Sequence, residues 1–242
     1  MLFRSKVIAG MQYEMLDVPT DGYLDFYIWP EYAEKGYLWM IPKCDGRANV
    51  GLVSEDKPRT KKALDEFIEI THFKDLEQVP PPWKEKGNPA FGGTIPISGP
   101  YEFTYDDGLM LVGDAAGFTS PLFEGGSHLA LKSATFAASV AAEQIATGDL
   151  SAAKMARYQK LWSDEFPPYG KILRGKSALF DLSDDDMSLM ARCFPDEMSS
   201  MGPHGKLAVC LRILLRRPSL YAKSIIPAML SFGYSRAKYY GW

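Results

Sequence analysis

The sequence predicts an α+β protein, and three features carry that expectation. The first hundred residues hold short stretches of alternating apolar and polar character, the pattern of half-buried antiparallel strands. Residues Gly108 to Ser133, GLMLVGDAAGFTSPLFEGGSHLALKS, join a buried apolar strand to an acidic Gly/Ala turn and then to a helix. Beyond residue 150 the spacing is helical and punctuated by prolines. With 242 residues and 46% hydrophobic content, the chain can bury a real core. The expected organisation is an antiparallel sheet domain over 1–100, the strand-turn-helix over 101–150 and a helical C-terminal region over 151–242.

Taken in order, Val7 to Leu16 alternates loosely and reads as a strand, as does Leu24 to Trp29. Tyr37 to Ile41 and Arg47 to Val53 read as a hairpin around Lys43-Cys44-Asp45-Gly46. Alternation sets Tyr37, Trp39 and Ile41 on one face and Leu38 and Met40 on the other. Thr60 to Thr71 has helical spacing, with Leu64, Phe67, Ile68 and His72 on one side, and is expected to cross back over the sheet. Val79-Pro80-Pro81-Pro82-Trp83 is a stiff connector, because consecutive prolines exclude helix and central strand. Phe91 to Ser98 reads as a further strand. Gly113-Asp114 ends the next one, and Gly125-Gly126-Ser127 opens a helix that runs to Thr147 and stops at Gly148-Asp149. Ala152 to Phe166 is another helix, broken by Pro167-Pro168, and Tyr169 to Trp242 reads as several short helices. Ser183-Asp184-Asp185-Asp186 is a helix start rather than a metal site, since adjacent acids on a helix point in different directions.

Composition narrows the function classes. A net charge of −3 gives no basis for nucleic-acid binding. Cys44, Cys193 and Cys210 are odd in number and lack ligand spacing, which argues for a reducing compartment and against a disulfide framework or structural zinc. No signal peptide is visible and the apolar runs fall short of the roughly 20 residues of a membrane span, so a cytoplasmic location is expected. The segment KLAVCLRILLRRPSLYAKSIIPAML combines an apolar face with Arg212, Arg216, Arg217 and Lys223. It can pack on the domain with its basic side in water, or make peripheral membrane contact.

The chemistry concentrates at the acidic turn. Gly113-Asp114 places one carboxylate where the chain turns sharply, and Ala115, Ala116 and Gly117 let a ligand approach the backbone. The helix opening at Gly125-Gly126 offers unpaired N–H groups and the positive end of a dipole to a partial negative charge. A plain strand-to-helix connection with a cap is the structural alternative.

The stretch LMLVGDAAGFTSPLFEGGSHLALKSATFAA resembles the second flavin-binding motif of the geranylgeranyl reductase family, within the larger group of flavoproteins similar to para-hydroxybenzoate hydroxylase. Tyr37-Leu38-Trp39-Met40-Ile41-Pro42-Lys43, with Asp45-Gly46 and Ala48-Asn49-Val50-Gly51-Leu52, is similar to that family's YxWxFPK…xxNVGxG hairpin. The resemblance covers Val7 to roughly Leu182 and implies FAD as cofactor. It assigns Asp114 to the ribityl hydroxyls, and the backbone at Gly125 and Gly126 to the flavin pyrimidine edge, where negative charge gathers on reduction. Gly113, Ala115, Ala116, Gly117 and Pro121 complete the implied cofactor set. Many relatives have a TGEG-like segment where this chain reads LFEGGSH, which leaves Glu124 and His128 outside a direct carry-over.

The implied reaction is reduction of carbon–carbon double bonds in a polyprenyl lipid, fed by an electron donor such as NAD(P)H or a ferredoxin-like protein. Tyr37, Trp39, Pro42 and Phe123 are the implied substrate contacts, and Tyr23, Phe26, Tyr27 and Trp29 add aromatic surface, although aromatic strands are also ordinary core. No catalytic acid is identified, and Tyr37 and His128 are the candidates to test. Nothing like the GxGxxG that binds the ADP half of FAD occurs, and the chain opens in mid-strand, so it reads as the C-terminal part of a family member. Two other classes stay open: a monooxygenase or halogenase on the same scaffold, and a non-catalytic module that binds lipid or a partner.

Overall fold

Strand β1 (Val7–Met15) is the axis of a six-stranded antiparallel sheet that also contains β2 (Asp25–Tyr27), β3 (Tyr37–Pro42), β4 (Ala48–Ser54), β5 (Gln78–Val79) and β6 (Phe91–Pro96). The computed structural model describes residues 6–80, 89–196 and 201–234. On one side β1 pairs with β4, followed by β3 and β2; on the other it pairs with β6 along Val7–Gln12 and with β5 at Glu14 and Met15. The second strand is shorter than its alternation suggests, because only Asp25, Phe26 and Tyr27 find partners on β3. Pro81 to Trp83 of the proline connector and residues 235–242 of the C-terminal segment lie outside the described residues.

The two sheet faces have different tasks. Tyr13, Met15, Leu38, Met40, Val50 and Leu52 point to a core closed by α1 (Thr60–Ile70), whose Ala63, Leu64, Phe67 and Ile68 are buried against them. Each large side chain buried this way stabilises the fold by roughly 1.5–3 kcal/mol. Tyr13 Oη donates to Asp65 Oδ1 at 2.6 Å, which ties the helix to β1 at its polar edge. His72 falls outside this helix: it is exposed, past the Thr71 cap, with its ring 4.0 Å from that of buried Phe73. The helix stops at Ile70, two residues short of His72, so the helical spacing that would turn it inward is not realised.

The opposite face carries a row of partners, Phe26, Trp39, Gly51, Gln12 and Phe91, one from each of five strands. Gly51 makes the row possible. A Cβ there would lie 2.6 Å from the Trp39 ring and 2.5 Å from Gln12 Cβ, so only glycine lets the indole cross β4 and donate to Gln12 Oε1 at 3.3 Å.

The chain divides into two compact units, the first ending at Ser98 and the second starting at Gly99. The second opens with a small hairpin, β7 (Tyr105–Asp106) and β8 (Leu109–Met110), and continues through a 3-10 turn (Gly113–Ala116) into α2 (Ser127–Thr147) and α3 (Ala152–Glu165). Then follow α4 (Tyr169–Phe180), α5 (Asp184–Ala191), α6 (Pro203–Arg216), α7 (Pro218–Leu220), a π turn (Tyr221–Ile225) and α8 (Ile226–Tyr234). One apolar cluster joins Phe118, Leu129, Val140, Tyr158, Ile172 and Phe180, so the turn, α2, α3 and α4 share a core across residue 150. Ser183 Oγ accepts the Asp186 N–H at 3.2 Å and starts α5.

The expectation of a buried strand before the turn needs correction. Leu109 and Val112 are 48% and 36% exposed, and β8 pairs only with β7 among the described residues. The main chain of Leu111 is satisfied elsewhere, by Thr104 O and by the Tyr158 hydroxyl, rather than by a neighbouring strand.

Gly51→Val is expected to lower unfolding stability by about 1–3 kcal/mol, the usual range for overpacking, and to change the fluorescence of Trp39. Chemical denaturation with an unchanged midpoint would contradict the packing described for this face.

Candidate functional site

The acidic turn is built from backbone conformations that only small residues allow. Gly113 and Gly117 have φ of 55° and 78°. A Cβ on Gly117 would stand 2.2 Å from Gly99 O, and one on Gly113 would stand 3.1 Å from Ala130 Cβ. The Gly113 N–H donates to Ser133 Oγ at 3.1 Å, and that hydroxyl donates to Ala130 O at 3.0 Å, so the turn is fastened to α2 nearly two helical turns beyond its start. Tyr158 of α3 donates to Leu111 O at 2.6 Å just upstream. Burial pushes the Tyr158 phenol up to about 12, which keeps it a donor, with Ser133 pulling weakly the other way.

Asp114 and Ala115 sit at the exposed crest of the turn, while Ala116, Gly117 and Pro121 are buried beneath it. Asp114 Oδ1 accepts the Thr119 hydroxyl at 3.1 Å. A Cβ on Gly126 would lie 3.0 Å from the same oxygen, which places the carboxylate against the opening residue of α2. That helix has no side-chain cap and no acid in its first turn, and its first intrahelical bond is Ala130 N–H to Gly126 O at 2.8 Å. The N–H groups before Ala130 therefore form a positive tip beside one carboxylate. A cavity of about 220 Å³ is lined by Pro100, Phe118, Thr119, Leu129, Trp162 and Tyr169.

Phe123, Gly125 and His128 belong to the same loop and helix start. His128 Nε2 is buried and meets no hydrogen-bond partner among the described residues. Glu124, at φ 50°, is ion-paired with Lys176 of α4 at 2.5 Å. In the sheet unit, Tyr37 is buried between Phe26 and Trp39, with ring centroids 4.9 and 5.8 Å away. Pro42 closes β3 opposite Ala48. Lys43 Nζ and Arg47 clasp the Glu14 carboxylate at 2.9 and 3.0 Å, so this lysine is part of the hairpin's framework. Cys44 is exposed at the hairpin tip.

Sequence reasoning did not find Thr119, Ser133, Gln12 or Lys176. Thr119 and Ser133 are inconspicuous hydroxyls until the turn is folded, and Lys176 lies 52 residues from its partner with no motif around it. Gly51 was visible within the Asn49-Val50-Gly51 motif, but not its task of making room for Trp39.

An aromatic-faced antiparallel sheet and a glycine-rich acidic turn running into an uncapped helix are a fold shared with solved flavin-dependent enzymes. The halogenase CmlS shares that fold, with a TM-score of 0.53 at 21% identity, covering 97% of this chain and 46% of the halogenase. In sequence the chain is similar to geranylgeranyl reductases. Residues 6–79 match the geranylgeranyl reductase catalytic domain. Digeranylgeranylglycerophospholipid reductase 2 of Methanothermobacter thermautotrophicus is 34% identical over 216 residues, 87% of this chain and 52% of the relative. Its namesake from Methanopyrus kandleri is 36% identical over 226 residues, 89% and 56% of the two chains. A geranylgeranyl bacteriochlorophyll reductase-like protein from Thermoplasma acidophilum superposes with a TM-score of 0.73 at 29% identity, covering 92% of this chain and 55% of that one. The chain thus spans about half the length of the curated relatives it matches.

Tyr158→Phe removes the donor to Leu111 O and is expected to destabilise the second unit by about 1–3 kcal/mol, the cost of a buried unsatisfied carbonyl. The tyrosine's pKa is higher folded than unfolded, so its contribution is complete below pH 10 and is lost as pH rises toward 12. Melting curves across that window should fall more steeply for wild type than for the variant. Parallel declines would contradict the assignment.

Proposed function

We propose that this chain forms the flavin-edge and substrate part of an FAD-dependent reductase that saturates carbon–carbon double bonds in the polyprenyl chains of a glycerophospholipid. The single observation behind this reading is the meeting of the Asp114 carboxylate with the side-chain-free start of α2 at Gly126. The residues suit such a cofactor. Asp114 is exposed and accepts hydrogen bonds, position 126 presents no side chain, and the helix tip offers N–H donors without a cap of its own. The substrate class follows the names carried by the relatives.

On this reading Asp114 holds the ribityl hydroxyls, and the amides around Gly125 and Gly126 stabilise negative charge at the pyrimidine edge. Gly113, Ala115, Ala116, Gly117 and Pro121 shape the backbone that receives the cofactor. The hydride would come from the bound reduced cofactor, recharged by a nicotinamide or ferredoxin-like donor. Tyr37, Trp39, Pro42 and Phe123 are assigned to apolar contact with the isoprenoid. His128 Nε2, buried and without a partner, is the better of the two proton-donor candidates, because the Tyr37 ring is enclosed by Phe26 and Trp39.

Contact with an anionic membrane surface belongs to the same reading. Residues 203–234 contain Lys206, Arg212, Arg216, Arg217 and Lys223 and no acid. Leu211 and Leu215 on α6, and Met229 and Leu230 on α8, are exposed. No described helix is long and apolar enough to cross a membrane.

The test is incubation of the full-length open reading frame carrying this chain with FAD, dithionite and a digeranylgeranyl lipid. Mass spectrometry is expected to register a gain of one hydrogen pair per saturated bond; unaltered lipid with flavin-loaded, reduced protein would contradict the reaction. Asp114→Ala is expected to weaken FAD binding by roughly 10- to 150-fold, as loss of a charge-assisted hydrogen bond worth about 1.5–3 kcal/mol implies. Undiminished flavin affinity would remove Asp114 from the site.

A further inference from the structure

The buried ion pair nearest the helix tip has no part in the chemistry above. Glu124 Oε1 and Lys176 Nζ lie 2.5 Å apart, with side chains only 2% and 5% exposed. Charges that far from water are costly to bury, and removing one partner would strand the other without compensation. Among the described residues Glu124 is also one of four non-glycine residues in the left-handed region, with φ of 50°. A residue with a Cβ stays there only when its surroundings hold it.

The strained residue leads directly into Gly125 and Gly126, whose main chain opens α2. Gly125 O accepts the Ser120 N–H at 2.9 Å, so the loop is closed at its neck and anchored at Glu124. The far end of the anchor is rigid. Lys176 Nζ stands 5.7 Å from the Phe180 ring centroid on the same helix. At the adjacent Gly175 a Cβ would fall 2.0 Å from Ser231 Cβ and 2.6 Å from Pro227 O, so α8 is pressed onto the α4 backbone. Ser231 Oγ locks the contact by donating to Ile172 O at 3.0 Å.

We propose that Lys176, acting through Glu124, is a positioning residue that fixes the amides of Gly125 to Ser127 in the orientation that receives the flavin's pyrimidine edge. The inference rests on the FAD reading above and gives the helical C-terminal segment a task in the site. Without the lysine, residue 124 relaxes out of the left-handed region, its peptide with Gly125 turns, and the helix tip shifts. A reduced, anionic flavin depends on those amides more than the oxidised form does, so the reduction potential falls along with affinity.

The experiment uses the full-length open reading frame carrying this chain. FAD affinity by fluorescence titration and the potential of the bound flavin are measured for wild type, Lys176→Met, Lys176→Arg and the double variant Glu124→Gln, Lys176→Met. The double variant leaves no unpaired buried charge and is the one to read where the single variant does not fold. It is expected to bind FAD about tenfold more weakly at a lower potential, with Lys176→Arg restoring affinity to within about threefold. Glu124→Asp, which keeps both charges but shortens the anchor, supplies the same two readouts where neither methionine variant folds. Wild-type affinity and potential in the folded variants, whatever their melting temperatures, would overturn the proposal. Wild-type protein that takes up no FAD would instead overturn the reading on which it rests.

Discussion

The Asp114 carboxylate lies close against the first residue of α2, and the rest of the second unit is arranged around that contact. A Cβ at Gly126 would lie 3.0 Å from Asp114 Oδ1, so the glycine lets the carboxylate sit tight against the helix start. A carboxylate beside a helix start is favourable, because the exposed N–H groups carry the positive end of the helix dipole. A conventional cap at residue 126 would satisfy those N–H groups internally and leave nothing to offer a ligand. The glycine therefore costs some helix stability and keeps the donors available.

The elements around this contact keep it in place. Ser133 and Tyr158 hold the turn to α2 and α3 from beneath, and Thr119 orients the carboxylate from the side. Glu124 and Lys176 anchor the loop that precedes the helix. The sheet unit uses glycine in a parallel way, since Gly51 clears the path by which Trp39 reaches Gln12. In both units an absent side chain creates room, and a hydrogen bond or ion pair then fixes what fills it.

Much of this was legible in the sequence where the signal is local. The alternation of Tyr37 to Ile41 separated the strand's two faces, and the structure shows that Leu38 and Met40 are on the one that packs in the core. The run from Gly125 to Thr147 and its stop at left-handed Gly148 followed from helix start and stop chemistry. What escaped was non-local. Lys176 and Gln12 depend on partners 52 and 27 residues away. The apolar run from Leu109 to Val112 misled for a related reason: hydrophobicity says that a segment tends to be covered, but not by what. Here its backbone bonds go to a short hairpin, Thr104 and a tyrosine hydroxyl.

The central claim is that the α2 tip and Asp114 together receive a flavin. A crystal structure of the full-length open reading frame grown with FAD tests it most directly. The account predicts isoalloxazine density with its pyrimidine edge at the amides of Gly125 to Ser127 and its ribityl chain at Asp114. Density for the ring system elsewhere, or a tip engaged only by solvent at saturating FAD, would contradict it.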